Sequence, residues 1–103
     1  MNTKSIANAE LTLDLSIFFE QYSQEQQSRL RLTLIAELQR MQLELEKCES
    51  SDSIEGLKHQ FTGIARYLQL KDMLSVMDVC ERELFEHQLC SLLKAVMDYT
   101  NEL

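Results

Sequence analysis

A histidine, a glycine four residues later and an arginine seven residues later stand out in one stretch, Lys58-His59-Gln60-Phe61-Thr62-Gly63-Ile64-Ala65-Arg66. A neutral imidazole is a competent nucleophile near pH 7 and can take a phosphoryl group on a ring nitrogen. The spacing predicts a helix, on which positions four and seven apart share a face, so His59, Gly63 and Arg66 line up. That face is not the apolar one. Phe61, Ile64, Ala65 and Leu68 make the apolar stripe, and His59 points about 180° from its centre. A glycine in an exposed helix interior costs about 1 kcal/mol relative to alanine. Packing asks for no glycine on an outward face, whereas clearance does: with no side chain at Gly63, another protein's active site can close over the imidazole. Lys58 and Arg66 are cations in an otherwise acidic chain, and a guanidinium along the same face can pair with an anion carried on the ring. Thr62 and Glu55 complete the surroundings.

The elements that must position this stretch read as helices. The 103 residues contain no proline and two glycines, and strong helix formers dominate, which points to an all-α single domain. Residues 1–10 are polar and expected to be flexible, with the domain occupying 11–103. Leu11 to Ile17 alternates like a strand, but Leu11, Leu15, Phe18 and Tyr22 also make a helical stripe, and no second strand candidate exists to pair with it. Ser23 and Gln26 fit a capping box. A long helix is expected from there to about Glu49, with Leu30, Leu34, Leu38, Met41, Leu45 and Cys48 as its core stripe. Leu32 and Leu43 fall on its opposite face, open to a covering segment or a partner.

Glu49 to Ser53 is a polar break, followed by a helix from about Ile54 to Leu70. The next break is expected at Lys71-Asp72, with Asp72 as N-cap. Met73, Val76, Met77, Cys80 and Leu84 form a further stripe, and Phe85, Leu89, Leu92, Val96 and Leu103 another, out of phase with it. The phase shift places a break near Leu84 to His87, against the competing reading of one bent helix. The sum is an antiparallel four-helix bundle with an additional short N-terminal covering helix.

A net charge of −7 argues against nucleic acid, whose binders need a basic footprint, and against anionic membrane. No run approaches the length of a membrane span, and the first ten residues lack the apolar block of a secretion signal. Cys48, Cys80 and Cys90 contain no C-x-x-C pair and are expected to be small buried thiols in a reducing cytoplasm. No metal site is expected from them. His87 has no glycine companion and reads as an ordinary histidine at a helix junction.

His59, Phe61, Gly63 and Ala65, on the third long helix of an acidic bundle, resemble the signature of histidine-containing phosphotransfer (HPt) domains. The family pattern runs His, any residue, an apolar residue, usually Lys, then Gly, followed by small residues. The resemblance covers Leu15 to Leu103 in helix order, and its sequence specificity lies in the nine residues above. Thr62 stands at the usual lysine, Ile64 at a small residue, and Gln69 where a second glycine is often found, departures also seen in HPt domains of bacterial hybrid sensor kinases. The resemblance implies a monomeric cytoplasmic phosphocarrier, not an enzyme. His59 would accept a phosphoryl group from a receiver-domain aspartate and pass it to a response regulator. Gly63, Arg66, Lys58 and Thr62 would stabilise phosphate or dock the partner, with the outer face of the second helix, including Leu43, adjoining. No cofactor is implied here, since magnesium belongs to the receiver. The alternative is an HPt-like adaptor or inhibitor that binds a kinase or receiver without phosphotransfer. A coiled-coil dimerisation element fits less well, because the polar break and varied stripes suit an intramolecular bundle.

Overall fold

The computed structural model describes the backbone of residues 3–77 and 81–99, and side chains from 11–75 and 81–99. Its secondary structure is helical: α1 (Thr3–Phe19), α2 (Gln24–Lys47), α3 (Ser51–Tyr67), α4 (Lys71–Met77) and α5 (Arg82–Asp98). The all-α reading therefore holds, and Leu11 to Ile17 is helix.

Each helix is set by local chemistry. The Ser23 hydroxyl accepts from the Gln26 N–H at 3.2 Å while Gln26 Oε1 accepts from the Ser23 N–H at 3.3 Å, so the capping box forms and starts α2. Two orphan N–H groups are satisfied at once. α3 starts earlier than the sequence suggests. Its N-cap is Ser50, whose hydroxyl accepts from the Ser53 N–H at 3.2 Å. α4 likewise starts two residues early, so Asp72 lies in its first turn rather than capping it.

The expected break at Leu84 to His87 is not there. α5 begins at Arg82, after Glu81 as N-cap, and His87 is an exposed residue within the helix, not at a junction. The physical reason is tertiary: the Arg82 guanidinium donates to the Cys48 carbonyl at 3.0 Å and the Leu45 carbonyl at 2.9 Å, holding the start of α5 against the end of α2. Leu84 is 38% exposed and belongs to no buried stripe. The side chains of Val76 and Met77, and all of Cys80 and Leu103, lie outside the described residues. The long helices are α1, α2, α3 and α5. α1 is a full-length helix beginning at Thr3, and α4 has seven residues.

The helix ends fix directions. Tyr99 Oη donates to Gln27 Oε1 at 3.4 Å near the start of α2, while Arg82 meets its end, so α2 and α5 run antiparallel. Arg31 reciprocates Arg82 by donating to the Val96 carbonyl at 3.0 Å and to the Met97 carbonyl. Each arginine thus satisfies orphan carbonyls at the C-terminus of the other helix, where a cation also suits the helix dipole. α3 returns along α2, with Arg40 bonded to Gln60. It finishes where the Tyr67 ring meets Phe18 and Phe19 stacks on Tyr99. Leu68 and Glu81 therefore lie toward opposite ends, and α4 packs on α3. Leu15, Phe19, Leu38, Met41, Phe61, Phe85 and Leu89 are fully buried between the helices. Phe61 and Phe85 meet edge to face at 5.6 Å.

Candidate functional site

α3 is held by its inner face. Leu57, Phe61, Ala65 and Leu68 are each at most 3% exposed, and this fixes the rotation of the helix. With that face inward, the opposite one must point out. His59, Gly63 and Arg66 are all exposed, as the spacing requires. A Cβ built on Gly63 would meet nothing within 4 Å. Neither packing nor backbone conformation asks for glycine there, since no glycine has positive φ. The space beside the imidazole is real.

The cations divide. The Arg66 side chain makes no hydrogen bond or ion pair among the described residues. Arg66 follows Gly63 by three positions and His59 by seven, so it stands on the same outward face as both. Lys58 is different: its side chain is 13% exposed and its ammonium lies 3.2 Å from Glu55. The Thr62 hydroxyl donates to the Lys58 carbonyl at 2.8 Å and is half-buried. Of the five residues singled out by sequence, His59, Gly63 and Arg66 form one outward surface. Lys58 and Thr62 sit on its flank and are engaged within the helix.

The other flank faces α2. Arg40 donates to Gln60 at 3.0 Å and also holds Glu37 and Glu44 at 2.9 and 2.7 Å. Its hydrogen bonds to Glu37 and then to Glu44 raise its pKa further, so the guanidinium stays charged and its charge is balanced by the two carboxylates. Below this knot a groove of about 380 Å³ is lined by Glu44, Lys47, Cys48, Ser53, Gly56, Leu57 and Gln60. Gly56 is the residue the sequence reading missed. It is exposed, a Cβ on it would meet nothing within 4 Å, and it precedes His59 by three positions. The signal was available: both glycines of the chain lie in this one helix, seven apart and flanking the histidine. Leu43 is 59% exposed but lies on the outer side of α2 with Leu32, while Arg40, Glu44 and Lys47 face α3.

The helix ends in a way that bears on Gln69. Leu68 is the C-cap, the Gln69 N–H reaches the Arg66 carbonyl at 3.1 Å, and the Leu70 N–H reaches the Ala65 carbonyl at 2.9 Å. This is a Schellman motif, which needs a left-handed residue just past the cap. Gln69 supplies it with φ 61, the one positive-φ non-glycine among the described residues.

Two expectations for cysteine change. Cys48 is half-buried and Cys90 is exposed, its sulfur accepting from Gln42 Nε2 at 3.1 Å. Among the described residues no group of His, Cys, Asp and Glu is arranged to hold a metal. No described helix is long and apolar enough to cross a membrane. The chain matches no protein-family model, no characterised protein and no solved structure.

Proposed function

We propose that the chain is a phosphorelay intermediate of the HPt type, with α2 to α5 as an antiparallel four-helix bundle and α1 laid against it. The observation that carries the reading is the outward His59 with open space over Gly63 on a helix locked by its buried face. The left-handed Gln69 adds support, because the family often has glycine at that place and glycine is the residue such a conformation favours.

In the proposed step, an imidazole nitrogen lone pair of His59 attacks the phosphorus of a receiver's aspartyl phosphate. The N–P bond forms, the acyl P–O bond breaks, and the aspartate leaves with its electron pair. The proton already on the other ring nitrogen stays there. The reverse step delivers the phosphoryl group to a second receiver's aspartate. Arg66 lies in reach of the phosphoryl oxygens and takes the place of the lysine that Thr62 replaces, while Lys58 is committed to Glu55. The receiver supplies magnesium, and this chain neither binds nor hydrolyses ATP. Its compartment would be that of its receivers, the bacterial cytoplasm. The bare strip from Gly56 to Gly63 gives the partner a close approach along α3.

Mixing the protein with a phosphorylated receiver should yield acid-labile, base-stable label on this chain, and His59→Gln should bind the receiver but take no label. Equal label on wild type and variant would overturn the carrier reading. Binding of both without any transfer would leave the HPt-like adaptor as the function.

A further inference from the structure

The outer face of α2 carries a stripe of mostly apolar residues that nothing among the described residues covers. Leu32 is 63% and Leu43 59% exposed, whereas Leu34, Leu38 and Leu45 of the same helix are at most 7% exposed. Leu32, Ala36, Gln39 and Leu43 follow one another at steps of four, three and four, and all are exposed. That is the spacing of a seam between paired helices. The seam is bounded by opposite charges, Arg29 before it and Glu46 after it, both exposed.

We infer that this stripe pairs with the same stripe of a second copy of the chain, α2 against α2 antiparallel about a two-fold axis. A two-fold interface must be self-complementary, and this one is. Antiparallel pairing that sets Leu32 opposite the second copy's Leu43 also sets Ala36 opposite Gln39 and Arg29 opposite Glu46. The apolar contacts and the charge pairs are satisfied together in one register, and each occurs twice. Parallel pairing would instead oppose Arg29 to Arg29 and Glu46 to Glu46. Arg29 already touches Glu25 at 2.9 Å, but both side chains are about three-quarters exposed (77% and 76%) and free to re-pair. The family resemblance implies a monomer, and the charge of −7 on each copy opposes association. The pairing is therefore weak, smaller than the ~1,200 Å² of a standard interface, and favoured by salt that screens the repulsion. α2 meets α3 through Arg40 and the groove of Glu44 and Lys47, not through this stripe. The dimer leaves His59 free.

Sedimentation velocity on the whole chain, up to millimolar concentration and at moderate salt, reads the outcome without any phosphoryl transfer, so its failure is separate from failure of the carrier reading. A reversible dimer is expected. Leu43→Glu should raise its Kd at least about tenfold, since the two-fold doubles every loss. Arg29→Glu and Glu46→Arg should each weaken it, and the two together should restore it, while helical circular dichroism stays unchanged. A monomer at every concentration, a dimer indifferent to Leu43→Glu, or a charge swap without rescue overturns the inference. So does slowed transfer by Leu43→Glu in a chain that stays monomeric, which would assign the stripe to the receiver.

Discussion

At the scale of single residues, α3 separates what the fold needs from what it does not. Phe61 is fully buried against Phe85, and truncating a buried phenylalanine to alanine costs about 3–5 kcal/mol. Gly63 is the reverse case: since a Cβ there meets open space, Gly63→Leu should keep or raise stability, by up to ~1 kcal/mol in urea unfolding, yet slow transfer from a receiver strongly. Unchanged transfer kinetics would remove Gly63 from the docking surface. Arg66→Gln should leave unfolding unchanged, because the guanidinium has no partner among the described residues, and slow transfer about tenfold. Gln69 holds φ 61, a conformation that costs a residue with a side chain roughly 1–2 kcal/mol. Gln69→Gly should relieve that strain and, after the greater chain entropy of glycine, stabilise by about 0.5–1 kcal/mol in the same unfolding measurement.

At the scale of elements, helix starts follow short-range rules and helix phase follows partners. The capping box at Ser23 and Gln26 is a local device, legible in the sequence and present in the structure. Ser23→Ala should cost about 1 kcal/mol. The start of α3 was misplaced because Ser50, Ser51, Asp52 and Ser53 are all good caps, and local chemistry does not rank them. The start of α5 was misplaced for a different reason. Nothing in the sequence near Glu81 breaks a helix, and the junction is fixed by Arg82 reaching carbonyls more than thirty residues away in sequence. Replacing Arg82 with methionine should destabilise the pair of α2 and α5 by roughly 1–3 kcal/mol, because two carbonyls lose charged donors.

At the scale of the whole molecule, the two ends of the α2 and α5 pair are closed by different means, arginine at one end and arginine with stacked rings at the other. Tyr99 belongs to the second closure, stacked on Phe19 at 4.6 Å. Burial, with the Glu20 charge adding to it, raises the Tyr99 phenol above its ordinary value of 10.0. Deprotonation is harder folded than unfolded, so this contribution to stability is full below pH 10 and is lost as pH rises through the raised value. Unfolding titrations should show the wild type losing stability relative to Tyr99→Phe from about pH 10 up to the raised value, and no further loss beyond it.

The helical class, the inward stripe of α3, and therefore the outward placing of His59, Gly63 and Arg66 are legible in the order of residues alone. Those follow from a period of 3.6 residues and the free energy of burying Leu57, Phe61, Ala65 and Leu68, and no partner is needed to read them. The three-dimensional packing is what sets Lys58 against Glu55, opens Gly56 onto a groove with α2, and lays the long helix α1 on α5. It also decided where α4 gives way to α5. Pairing between distant residues sets each of these, and periodicity within one helix carries no record of what lies across from it.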